Sequence, residues 1–231
     1  MQLLWDGLRQ AIELVLSGDR MILSAAGRTI WISVCAVGLA TLIGLPLGVW
    51  LARNRFPGNR IVVLAFRVGM ALPTVFVGMV CYAVMSRRGV LGPLEMLYSP
   101  WGIVCGELLL AIPIIVGISH GAVKSLDPRV GETAWTLGAG PLKQGWTFLS
   151  EARTGALLAV LTAFARCVTE LGIAMMVGGN IKDRTRTLAT ATALETGKGE
   201  FARGLAMGTI LLAIALLATC LIGWLSREDK R

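Results

Sequence analysis

The chain has 231 residues, of which 55% are hydrophobic and only 16% charged, and its formal net charge is +8. So much apolar surface with so little charge cannot be covered by a water-facing globule, which excludes an ordinary soluble domain and makes a lipid bilayer the solvent. The positive charge then needs no nucleic-acid partner, because membrane proteins commonly carry surplus Lys and Arg on their inner loops.

Residues 1–20 read as an amphipathic helix. Leu4, Leu8, Ala11, Ile12 and Val15 share one face, and Asp6, Arg9, Gln10 and Glu13 share the other, which suits a helix lying on the bilayer surface or against its neighbours. The acidic residues, and the lack of a basic start followed by an apolar run and a small-residue cleavage site, argue against a removable signal peptide.

Five membrane spans follow. Thr29–Ala52 and Gly204–Ser226 are uncharged runs of 24 and 23 residues, and Val68–Ser86 is a third run of 19. A helix of about 20 apolar residues crosses roughly 30 Å of hydrocarbon. Trp101–Val123 is a fourth span, with Glu107 near one end, and Leu157–Ile181 a fifth, with Arg166 and Glu170 inside it. Residues 21–226 therefore form one membrane domain, with connecting segments at 127–150 and 180–203 on opposite sides and a short tail at 227–231. Pro73 and Pro113 each remove a backbone hydrogen bond and predict a kink in their spans. Cys35, Cys81, Cys105, Cys167 and Cys220 fall in five different spans, without metal or redox spacing, and read as small buried hydrophobes. No cofactor or metal is implied.

Charge does not settle the orientation: with five spans, ten basic residues fall on each side. The short loop "RNRFPGNR", with Arg53, Arg55 and Arg60, is where the positive-inside rule acts most strongly, so that loop is assigned to the inside. The segment Lys124–Arg153 and the C-terminus are then inside as well. The N-terminus and Lys182–Arg203, with five cationic and three anionic residues, are outside.

A charge near mid-bilayer costs about 3 kcal/mol on insertion scales and needs a partner or a watery cavity. Arg166 and Glu170 are four apart and can neutralise one another across one helical face. The pair either lines a translocation path or fixes helix packing. Arg67 can snorkel to the interface. Glu107 and His120, near opposite ends of their span, are placed at interface depth.

Between these apolar segments lies "GETAWTLGAGPLKQGWTFLSEAR", Gly131 to Arg153. Asp127 and Pro128 are a helix start, Val130, Ala134 and Leu137 continue at helical spacing, "GAGP" after Leu137 stops the helix, and Pro141 opens another. Two short helices meeting at an angle are predicted, presenting Val130, Trp135 and Leu137 with Glu132 and Lys143 as a knob for another protein.

This stretch resembles the cytoplasmic motif of ABC importer permeases, Glu-Ala-Ala, three residues, then Gly, read here as Glu132-Thr133-Ala134 and Gly138. Where that family usually continues with Ile-x-Leu-Pro, this chain has Phe148-Leu149-Ser150-Glu151. "LPTVFVGM" (Leu72–Met79), "FARCVTELG" (Phe164–Gly172), "GGNI" (Gly178–Ile181) and "TRTLATATALETGKGEFA" (Thr185–Ala202) are similar to segments of oxyanion importers, tungstate permeases most closely and molybdate permeases next. The resemblance implies an all-α type I importer fold of about five transmembrane helices, working as a homodimer in the bilayer. Beneath it would sit two copies of an ABC ATPase, and outside it an oxyanion-binding protein. It also implies that Glu132, Thr133, Ala134, Leu137 and Gly138 couple to the ATPase, with Glu132 facing basic residues of that partner and Gly138 giving a tight exit. Pro73, Thr74, Arg166 and Glu170 are the candidate translocation residues.

No Gly-x-x-x-x-Gly-Lys-Ser/Thr occurs, so nucleotide hydrolysis would come from the partner. Two other classes compete. One is a stand-alone secondary transporter exchanging protons at Glu170, Arg166 or Glu107. The other is a membrane enzyme, for which the lone His120 is poor material.

Overall fold

The structure, a computed structural model, describes Trp5, Arg9, Ile12, Glu13 and residues 16–228, with the side chains of 221–223 and 225–228 outside that description. The described residues are helical or in turns, with no strand among them. Ten helices follow: α1 Arg20–Arg53, α2 Asn59–Gly69, α3 Thr74–Met85, α4 Pro100–Lys124, α5 Pro128–Thr136, α6 Pro141–Glu151, α7 Arg153–Val168, α8 Gly172–Gly178, α9 Leu188–Gly197 and α10 Phe201–Glu228, with a 3₁₀ turn at Gly92–Leu94.

Three helices, α1, α4 and α10, are long and apolar enough to cross a membrane, and two bent pairs raise the number of spans to five. In these pairs, α2 and α3 meet at 101° and α6 and α7 at 76°. The expected span Val68–Ser86 is thus corrected: it holds the last two residues of α2, a break and α3, not one kinked helix. Pro73 sits at the N-cap of α3 with extended backbone. It supplies no N–H and its ring disfavours helical geometry at Leu72, so the chain turns over Met70–Leu72. Pro113, by contrast, stays inside a continuous α4.

The expected span Leu157–Ile181 is also broken. α7 ends at Val168 and α8 begins at Gly172, so Glu170 lies in the turn between them. The segment 180–203, read as a loop, contains α9, started by a capping box in which Thr187 and Thr190 satisfy each other's backbone N–H groups. The described N-terminal residues Trp5, Arg9, Ile12, Glu13 and Leu16 are helical and exposed, and Arg9 Nε lies 3.6 Å from Glu13 Oε1. Leu4, Asp6, Leu8, Gln10, Ala11 and Val15, on which the two-faced pattern also rests, lie outside the described residues, as do Lys230 and Arg231 of the tail.

The chain divides into two compact units. One comprises 1–36, 73–107 and 165–218. Its core joins Ile32 and Ala36 of α1 to Ile103 and Val104 of α4 and Ala174 of α8. A second cluster packs Ile22 and Ala25 against Leu188, Ala191, Ala206 and Met207. Beside it the buried Thr29 hydroxyl donates to the Ala25 carbonyl at 2.8 Å and accepts from Leu188 N–H at 2.9 Å. The other unit comprises 37–72, 108–164 and 219–231, and its core is Val49, Val123, Phe148 and Ala152.

Candidate functional site

Two constellations carry polar or exposed apolar chemistry, one in each unit. The first is the pair of short helices α5 and α6, joined through Gly138. Asp127 Oδ1 accepts from Arg129 N–H at 2.9 Å, and Pro128 occupies the first turn, where a missing N–H costs nothing. The inner side of α5 is fixed by Gly131 and Ala134, both buried. A Cβ on Gly131 would run into the Arg53 guanidinium and approach Phe148 Cζ at 3.2 Å. Arg53 itself lies 3.8 Å above the centroid of the Phe148 ring, a cation–π contact that ties the end of α1 to α6.

Gly138 has φ +71° and ends the helix, with its N–H donating to the Trp135 carbonyl and that of Ala139 to the Ala134 carbonyl. Pro141 then starts α6. Start, stop and restart all match the sequence expectation.

The outward side of the pair is apolar. Trp135, Leu137, Leu142 and Trp146 are 74%, 79%, 92% and 72% exposed. Four large side chains are thus left exposed on the two short helices. Val130, expected on this knob, is instead half-buried against the Val49–Phe148 core. Four of the five coupling candidates divide between two cavities, and Gly138 lines neither. Thr133, Ala134 and Leu137 line one of about 480 Å³ with Lys143, whereas Glu132 lines another of about 1290 Å³. Leu142 escaped the sequence reading, although its i,i+4 spacing with Trp146 on a helix opened by Pro141 was a usable signal.

The second constellation is a cavity of about 420 Å³ lined by Thr74, Arg166, Thr169, Glu170, Met175 and Met176, among others. Arg166 Nη1 donates to Glu170 Oε2 at 2.8 Å, so the expected pair forms even though Glu170 is not in a helix. The other carboxylate oxygen, Oε1, accepts from Ile173 N–H at 3.1 Å, so Glu170 also caps the short α8. The two partners differ in burial: the Glu170 side chain is 1% exposed and that of Arg166 40%. Three of the four translocation candidates therefore share a cavity. Pro73 is not in its lining, and acts by starting α3 one residue before Thr74. Thr169 and the two methionines were not singled out from sequence; only the break after Val168 brings them round.

Glu107 and His120 are enclosed by protein, at 2% and 4% exposure. Glu107 Oε2 and His120 Nδ1 are buried without a hydrogen-bond partner.

Comparison with known proteins agrees with this geometry. Residues 44–229 match the family model of the binding-protein-dependent transport system inner membrane component. The chain is 30% identical to the tungstate uptake system permease TupB of Peptoclostridium acidaminophilum, over 99% of this chain and 100% of that one. It is 35% identical to TupB of Campylobacter jejuni, over 92% and 89% respectively. Among solved structures, an inward-facing MetNI methionine ABC transporter superposes with a TM-score of 0.72 at 18% identity, covering 91% of this chain and 97% of that one, a likeness of fold. A multi-pass helical chain with an exposed pair of short helices, matched along most of its length, belongs to the inner-membrane permease family of binding-protein-dependent ABC transporters.

Proposed function

We propose that this chain is the membrane-spanning subunit of an ATP-driven importer of tungstate. Two copies, related by a twofold axis, stand on two ATPases and receive the oxyanion from an extracytoplasmic binding protein. Relatives at 30% and 35% identity that are named tungstate permeases support the substrate. Residues 21–226 form the membrane domain, 127–150 face the cytoplasm and 180–203 the outside, where Lys182, Arg184 and Arg186 favour the approach of an anion or an acidic partner.

The observation that carries the coupling role is the exposed apolar face of α5–α6. Trp135, Leu137, Leu142 and Trp146 enter the ATPase, Glu132 meets its cations, and Thr133 and Ala134 seat the helix. Closure of the ATPase pair on nucleotide displaces α5–α6. That displacement passes through the 76° joint into α7, which carries it over about 24 Å. At the far end of α7, movement of Arg166 and Glu170 against Thr74 and the start of α3 at Pro73 opens and closes the path. A polar wall there replaces part of the anion's hydration without binding it tightly, as conduction requires.

Reconstitution into liposomes with the ATPase and the binding protein tests this. Tungstate uptake requires ATP and stops in Gly138→Val, where a β-branched residue meets φ +71°. Uptake driven by a pH gradient with the chain alone would transfer the reading to a proton-coupled secondary transporter.

A further inference from the structure

We propose that the cavity where α1 and α4 end is a binding site for a phosphate-type oxyanion group, built from residues other than those around Arg166. The cavity, of about 1290 Å³, is lined by Arg53, Arg55, Arg60, Lys124 and His120, with Glu132 its only carboxylate. Neither Lys124 nor any of the three arginines is within ion-pair distance of a described carboxylate. A helix C-terminus gains from one nearby cation, and Arg53 and Lys124, the last residues of α1 and α4, supply one each. Arg55 and Arg60 exceed that need.

Two further features point to a ligand. The first is His120, 4% exposed, which lines this cavity and whose buried Nδ1 has no hydrogen-bond partner. Buried polar atoms are nearly always satisfied, and an Nδ1–H tautomer would donate to an oxyanion. The second is that the cradle is already built. Arg53 is held over Phe148 at 3.8 Å, the rings of Trp50 and Phe56 pack at 5.2 Å, and Asn59 Nδ2 donates to the Leu51 carbonyl at 3.1 Å and to that of Asn54. Arg53, so held, loses little freedom when an anion arrives.

The site lies at the ends of two helices long enough to cross the bilayer, which is the depth of lipid phosphates. A lipid headgroup and a free oxyanion share the chemistry, and the experiment separates them. Nothing in the inference depends on the transported substrate, and the test involves no transport.

The full chain is placed in phosphatidylcholine nanodiscs with or without phosphatidylglycerol. Retained phosphatidylglycerol is counted by native mass spectrometry, and inorganic phosphate and tungstate are titrated calorimetrically into the phosphatidylcholine sample. The double variant Arg60→Glu/Lys124→Glu should lower anion occupancy at least tenfold, and His120→Gln two- to fivefold. Arg87→Glu, outside the cavity, should change nothing. Binding should also weaken as salt rises. Loss confined to phosphatidylglycerol identifies a lipid site, and loss confined to phosphate or tungstate a site for a soluble anion. Equal occupancy in the wild type and the double variant with all three probes overturns the proposal. Should the double variant fail to yield protein, Arg55→Gln/Arg60→Gln, on exposed loop and first-turn positions, makes the same comparison.

Discussion

Arg166→Ala and Glu170→Gln remove the two halves of one ion pair, yet their costs should differ widely because the partners are buried so unequally. The Glu170 carboxylate is 1% exposed, with one oxygen held by Arg166 at 2.8 Å and the other by Ile173 N–H at 3.1 Å. Arg166→Ala strands that charge with a single neutral donor, and uncompensated buried charges cost about 3–5 kcal/mol, here taken at about 3 because one hydrogen bond survives. Glu170→Gln leaves an acceptor for Ile173 N–H, and Arg166, 40% exposed, can turn its charge to water. That variant should cost about 1 kcal/mol. The gap of about 2 kcal/mol is a roughly 30-fold difference in the unfolding equilibrium. Arg166→Met/Glu170→Gln should fall near Glu170→Gln alone, since removing both charges also removes the penalty. Reversible unfolding in detergent–SDS mixtures, followed by tryptophan fluorescence, reads all three. If Glu170→Gln proves as costly as Arg166→Ala, the argument from unequal burial is wrong. Transport separates the structural role from the path: a path residue would leave the stable double variant inactive.

Leu142→Ser with Trp146→Ser should leave the melting temperature unchanged, because both side chains are exposed, and should weaken ATPase association by about 2 kcal/mol or more, near 30-fold, in a pull-down titration or by interferometry. Gly131→Val pushes its side chain into the Arg53 guanidinium and the Phe148 ring, and should destabilise the protein by about 1–3 kcal/mol, with a lower melting temperature even in the absence of partners. Thr187→Ala breaks the capping box of α9 and should cost about 1 kcal/mol, visible as faster amide exchange over Leu188–Ala191.

Much of the fold was written in long apolar runs. α1, α4 and α10 fall within a few residues of the uncharged stretches, except that α1 begins nine residues before Thr29, where Arg20 and Arg28 interrupt the apolar pattern. The pair α5–α6 was equally legible, because Asp-Pro, Gly and Pro act through local backbone geometry that needs no tertiary contact. The breaks were harder. Hydropathy averaged over a span-length window stays high across Gly69–Pro73 and, despite Thr169 and Glu170, across Val168–Gly172, so it does not register a turn. α9 was missed for a related reason: its capping box uses a threonine where glutamate or glutamine is the usual signal, and its buried face reads as mixed polarity. At the candidate site, i,i+4 spacing found Arg166 and Glu170 correctly, although the carboxylate reaches the arginine from a turn rather than from the next coil of helix.

The halves of the broken span have a consequence for how the protein is made. With 11 and 12 residues, α2 and α3 rise only about 17 and 18 Å each. Neither half reaches across roughly 30 Å of hydrocarbon, so neither can partition from the insertion machinery into lipid unaided. A nascent chain halted after Met85 owns one autonomous anchor, α1. α2 lies against α4, where a Cβ on Gly69 would come within 3.1 Å of Pro113, so its hold in the bilayer is expected to rest on a helix translated after it.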